Sequence, residues 1–175
     1  MFKLIQRIIF IYNKYYSRNI FRTVNCDIKS IIIGPDCNSN FIINSPERLS
    51  IGEGTVVNGY CYINAYGGIS IGQYCHIGKG LTVFSHNHNF NSKISIPYDD
   101  TNIIRSVIIK DFVWIGANVT IVPGVTIGEG VVIGSGTVVT KDVPDFAVIG
   151  GNPHQIIKYR DIEMFVQLKE NRKFY

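Results

Sequence analysis

Two histidines stand two residues apart in the stretch Phe84-Ser85-His86-Asn87-His88-Asn89-Phe90. A neutral imidazole within hydrogen-bond reach of a hydroxyl can take its proton and turn a weak nucleophile into a competent one. His86 is the stronger candidate for that role, because it falls at a point where a regular pattern in the chain breaks off. The plain alternative is a solvent-exposed loop histidine. His88 orients a substrate, assists His86, or lines the loop. His76 precedes the aliphatic Ile77 by one residue and points outward, while His154 follows Pro153 and reads as structural. The four cysteines, Cys26, Cys37, Cys61 and Cys75, form no C-x-x-C pair, which argues against zinc. Cys37, Cys61 and Cys75 fall two residues before a repeat position and read as small core hydrophobes.

The elements that hold these residues follow from a six-residue period. Ile109, Ile115, Ile121, Ile127, Ile133 and Val139 are all aliphatic and six apart. At the 46% frequency of hydrophobic residues, such a run at a preset phase arises in about one case in a hundred. Two residues before each stand Val107, Val113, Val119, Val125, Val131 and Thr137, on the same side of a strand. Three residues after four of the aliphatic positions come Asn118, Gly124, Gly130 and Gly136, types that accept a left-handed backbone cheaply. Each repeat is thus a short strand followed by a sharp corner, and the chain must coil, with strands stacked about 4.8 Å apart.

The same phase runs through Ile33, Ile51, Val57 and Ile63, with Ser39 and Ser45 at expected aliphatic positions. It slips by two before Ile71, Ile77 and Val83. It breaks again over residues 84–106, a long loop of the kind that carries function. The expected organisation is a helical cap over residues 1–30, a β-helix over 31–158 with the inserted loop 84–106, and a helical segment over 159–175.

Composition narrows the function. Charged residues make up only 17% of the 175, which argues against disorder and suits extensive internal or subunit-contact surface. The net charge of +4 suits an anionic ligand, but no Lys/Arg run forms a nucleic-acid patch. No signal peptide or membrane-length apolar run is evident, so a cytoplasmic protein is expected. Lys3, Arg7, Lys14 and Arg18 beside Ile, Phe and Tyr allow peripheral membrane contact by the first twenty residues, or a trimer-stabilising cap.

The repeat seen as Ile71-Gly72, Ile77-Gly78, Ile115-Gly116, Ile127-Gly128 and Ile133-Gly134 resembles the hexapeptide-repeat acyltransferases. The stretch from Val113 through Val125-Thr-Ile-Gly128, continuing through Val138-Val-Thr-Lys-Asp-Val-Pro144 to Gly150-Gly-Asn-Pro153, resembles the galactoside, maltose and capsular-polysaccharide O-acetyltransferase branch. The resemblance spans about residues 31–158. It implies an all-β, left-handed parallel β-helix, an exception to the right-handed rule for parallel crossovers. It also implies a homotrimer with acetyl-CoA sites between neighbouring subunits, no metal, and direct transfer to a sugar or surface-glycan hydroxyl with His86 as general base. By the same resemblance Ala117 and Ser135 lie along the pantetheine arm, Thr140 and Lys141 at its nucleotide end, and Lys158 at the phosphates. Gln155 replaces the family's other basic residue, and Arg160 stands nearby as a substitute. Asn58 matches an acceptor-binding asparagine, Tyr66 replaces an aspartate, and Trp114 matches a tryptophan near the catalytic histidine.

Three other functions fit the same pattern less well. An amino-sugar nucleotide N-acetyltransferase uses the same fold and histidine. A β-helical scaffold without activity would not need His86. A zinc hydratase of the γ-carbonic-anhydrase type needs three converging imidazoles, and His76, His86 and His88 lack that family's spacing.

Overall fold

In the computed structural model, residues 41–175 are described throughout; before them only Leu4, Ile5, Ile8, Ile11, Tyr12, Tyr15, Asn19, Val24, Ile32 and Ile33 are. The remainder of the expected amino-terminal cap, and Cys26, Cys37 and Ser39, lie outside the described residues. The described positions from Leu4 to Asn19 are helical.

The six-residue period folds as expected, into a left-handed parallel β-helix of about five turns with three sheets. Sheet I stacks Leu49–Ile51, Ile69–Ile71, Val107–Ile109 and Thr126–Ile127. Sheet II stacks Ile32–Ile33, Val56–Val57, His76–Ile77, Trp114–Ile115, Val132–Ile133 and Ala147–Gly150. Sheet III stacks Ile42–Asn44, Tyr62–Asn64, Thr82–Phe84, Thr120–Ile121 and Val138–Val139. The chain visits them in the order I, II, III, and each residue pairs with its equivalent one coil away, as Ile71 does with Ile109 and Ile115 with Ile133. Both inward layers read from the sequence are buried, including Val107, Val113, Ile115, Val119, Ile121, Val131 and Ile133. Cys61 and Cys75 fill the same core.

The corners explain where the period slips. Asn118, Gly124, Gly130 and Gly136 all have positive φ, as their spacing predicts. From sheet III to sheet I the first two coils are longer: Ile63 pairs with Ile43 below it, and Ile43 and Ile63 each stand eight residues before their sheet I partners Ile51 and Ile71. Ser45 is therefore not an inward position, contrary to the uniform phase assumed above. Ile43 packs against the core instead, and Ser45 turns the corner at φ 56°. The long insertion after Val83 leaves at this same III–I corner. Every departure from the six-residue rule in the described coils from Ile43 to Val139 thus stacks along one edge of the solenoid.

The opposite surprise lies at the I–II corner, where Tyr74, Phe112 and Phe146 adopt positive φ of 52–63°. A bulky side chain there is strained. Stacking offsets the cost: Tyr74 lies 5.5 Å from Phe112 at 10°, and the C-terminal segment adds Phe165 and Phe174 to the column. That segment is the expected helix, Ile162–Glu170, with the Asp161 carboxylate accepting the Met164 N–H at 2.9 Å as N-cap. Before it, Gln155–Tyr159 returns antiparallel along Ala147–Gly150 and closes sheet II.

Candidate active site

The chain leaves the solenoid through a pinned residue. Ser85 is fully buried; its Oγ donates to the Asn64 carbonyl at 2.8 Å and accepts the Gly67 N–H at 2.8 Å. The next residue, His86, opens a strand, His86–His88, that pairs antiparallel with Asn102–Ile104. The insertion read as irregular is therefore a hairpin at its base, and the base is where the histidine sits. Residues two apart in a strand share a face, so His86 and His88 lie side by side, their ring centroids 6.2 Å apart. His88 stacks on Tyr98 at 4.1 Å and 10°, which fixes its ring against the hairpin. Asp99 holds the far end, accepting from Asn89 Nδ2 and the Thr101 N–H at 2.8 Å each; the Thr101 bond leads in drawing its carboxyl below the usual range.

His86 lines a cavity of about 300 Å³ with Asn44, Ser45, Asn64, Tyr66 and Asn102. The Tyr66 ring lies 5.2 Å from the imidazole at 59°. Nδ1 of His86 is buried and has no hydrogen-bond partner among the described residues. The arrangement offers one base, a phenol and three amides, which suits a hydroxylated ligand held by neutral hydrogen bonds.

The other expected site residues divide between two edges. Thr140 and Lys141 sit above His86 on the III–I corner, as Tyr66 sits below it. Asn58, Ala117 and Ser135 occupy the II–III corner, on the far side of sheet III. There the Ser135 hydroxyl accepts the Ala117 N–H at 3.1 Å, and Asn58 Nδ2 donates to the Ile77 carbonyl at 2.9 Å. Trp114, 59% exposed on sheet II, and Lys158 line a larger cavity of about 790 Å³ under the C-terminal helix. Within one chain these groups do not meet at His86. Arg160 lines the same cavity as Lys158, where its guanidinium donates to the Gly130 carbonyl at 3.1 Å and lies 4.9 Å over Phe165.

The remaining histidines lie away from the His86 cavity. His154 is buried, and its Nδ1 accepts the Thr140 N–H at 3.3 Å; burial, with help from Lys141, pulls its pKa below the ordinary value. His76 faces outward on sheet II, 5.6 Å from Tyr175 and away from the III–I corner. The three imidazoles of the zinc alternative therefore do not converge, and no group of three metal-ligating side chains occurs among the described residues. Asn44, Asn64, Ser85 and Asn102 are site residues the sequence reading missed. Asn64 and Asn44 stand one coil apart in register, a relation visible only once coil length is known.

The repeats match two family models, "bacterial transferase hexapeptide (six repeats)" over residues 106–141 and "hexapeptide repeat of succinyl-transferase" over 48–85. These define a transferase-type hexapeptide solenoid. The polysialic acid O-acetyltransferase of Escherichia coli O1:K1 is 39% identical over 124 residues, 68% of this chain and 39% of that protein. A Vibrio cholerae hexapeptide-repeat acetyltransferase solved with acetyl coenzyme A is 29% identical, with a TM-score of 0.68 over 82% of this chain and 73% of that one. A maltose O-acetyltransferase from Clostridium difficile is 27% identical, with a TM-score of 0.70 over 87% of each chain. The chain belongs to the hexapeptide-repeat acetyltransferase family. It spans about half the length of the curated relatives it matches.

Proposed function

We propose that the protein transfers acetyl from acetyl-CoA to a hydroxyl of a sugar or surface glycan, in a trimer whose active sites lie between subunits. The observation that carries this reading is His86 on a pinned corner, lining a cavity with three asparagines, a serine and a tyrosine while its Nδ1 is buried, which leaves Nε2 for the substrate. His86 removes the hydroxyl proton as the oxygen attacks the thioester carbon. The tetrahedral adduct then collapses, expelling the CoA thiolate, which takes the proton back from the imidazolium. Transfer is direct. Cys61 and Cys75 are buried, and burial pushes the Cys75 thiol up to about 11, so neither suits an acyl-enzyme.

The two-edged distribution of the remaining residues supports the trimer. The II–III corner of one subunit, with Asn58, Ala117, Ser135 and the nearby Trp114, would face the III–I corner of the next, with His86, Tyr66, Thr140 and Lys141. Pantetheine would then run between the corners, and Lys158 would meet the phosphates of the nucleotide. His88, held by Tyr98, orients the acceptor. Because acetyl-CoA is supplied inside the cell, the reaction belongs in the cytoplasm; among the described residues no helix is long and apolar enough to cross a membrane.

The test is acceptor-dependent thiol release from acetyl-CoA, with hydroxyl and amino sugars side by side and the product treated with mild alkali. Release with hydroxyl acceptors, giving an alkali-labile acetyl ester, is expected. Turnover of amines alone, giving an alkali-stable amide, would replace this reading with N-acetylation.

A further inference from the structure

One charged side chain, Arg48, packs on the Tyr66 that lines the cavity and has no part in the reaction as described. Arg48 ends the single helical turn Pro46–Arg48 at the III–I corner two coils below His86, with Tyr66 on the coil between them. Its guanidinium lies 5.3 Å over the Tyr66 ring, and Nη1 donates to the Tyr66 carbonyl at 2.5 Å. Tyr66 in turn lies 5.2 Å from His86. The cation is therefore carried on the ring that borders the base, no more than about 10.5 Å from the imidazole if the two ring distances are laid end to end. A single sugar residue, or one and its neighbour, bridges that gap.

The surroundings favour an anion beside Arg48. None of the six described residues lining the cavity is acidic. Among the described residues Glu47, at 3.9 Å from Nε, is the acid paired with Arg48, and both side chains are more than half exposed, where such a pair holds the charge weakly. Asp99 is turned to Asn89 and Thr101 within the hairpin. The ring and carbonyl of Tyr66 fix the guanidinium plane while its remaining N–H groups stay available, an arrangement suited to a carboxylate.

We infer that the acceptor is an acidic sugar and that Arg48 binds its carboxylate, while His86 works on a hydroxyl of the same or the adjoining residue. This rests on the acetyl-transfer reading above. Three amides hydrogen-bond the neutral hydroxyls, and the arginine sets the choice between charged and uncharged glycans.

The experiment uses matched acceptors: oligomers of sialic acid and of galacturonic acid, each beside its carboxyl-reduced form, with a phosphorylated mannan as a third arm. The ratio of kcat/KM for acidic over reduced acceptor is read in wild type, Arg48→Gln and Arg48→Lys. A single charge-assisted hydrogen bond at a part-exposed site predicts a ratio of roughly ten in wild type. Arg48→Gln is expected to bring the ratio near one, with Arg48→Lys between, and added salt to erode it in wild type. An equal ratio in wild type and Arg48→Gln, or preference for phosphate alone, overturns the carboxylate assignment while leaving acetyl transfer intact. Thiol release with no acceptor of either kind would instead remove the acetyl-transfer reading, and this assignment with it.

Discussion

Replacing His86 with alanine is expected to lower acceptor-dependent thiol release by at least about two orders of magnitude, the usual worth of a positioned general base. The fold should survive. His86 stands on the hairpin outside the buried aliphatic column, and Ser85, which ties the hairpin to the coil below, keeps its bonds through Oγ and the main chain. The thermal midpoint should therefore stay close to wild type while kcat collapses. His88→Ala serves as the comparison. Its ring is 6.2 Å from His86 and braced by Tyr98, so a loss of roughly tenfold or less is expected from a weakened hold on the acceptor. Undiminished release in folded His86→Ala, with collapse in His88→Ala, would exchange the two roles.

Gly67→Ala is expected to act nearly as strongly without touching a reacting atom. A Cβ at Gly67 would lie 2.0 Å from the Ser85 carbonyl oxygen and 3.0 Å from Ile104 Cγ2. Neither neighbour can yield freely. Ser85 is fully buried and bonded to Asn64, its carbonyl accepts the Arg105 N–H at 2.9 Å, and Ile104 pairs with His86 across the hairpin. The clash must therefore push the base of the hairpin outward and carry His86 with it. Overpacking of this kind costs about 1–3 kcal/mol of stability. A displacement of the base by about 1 Å costs on the order of a hundredfold in rate. The check is kcat with saturating acetyl-CoA beside a denaturation curve. A variant as active as wild type would mean that His86 does not depend on this corner.

The solenoid was legible because its rule is local. Ile109 to Val139 keep one phase, and Asn118, Gly124, Gly130 and Gly136 mark the corners that need a left-handed backbone. Tyr74, Phe112 and Phe146 occupy the same kind of corner, but their stacking with Phe165 and Phe174 is a tertiary effect that no propensity records. His86 was legible for a related reason: it stands where the period fails. Its companions were not. Asn44 and Asn64 are brought together by coils twenty residues long, and a uniform six-residue phase that placed Ser45 inward concealed that length. Once the eight-residue spacings from Ile43 to Ile51 and from Ile63 to Ile71 are recognised, the asparagines fall on the corner from which His86 emerges. The residues matched to coenzyme binding carried no sign that they belong to two different corners.

That separation leads to the most direct measurement of the account, complementation between subunits. His86→Ala disables one corner, and Ala117→Trp obstructs the other. Each variant alone should be inactive. Equal amounts refolded together give mixed trimers in three cases of four, each with one site of three built from two intact halves, so about a quarter of wild-type activity should return. Recovery near that level is the predicted result. No recovery from mixed trimers, with each variant folded and trimeric, would contradict an active site shared between subunits.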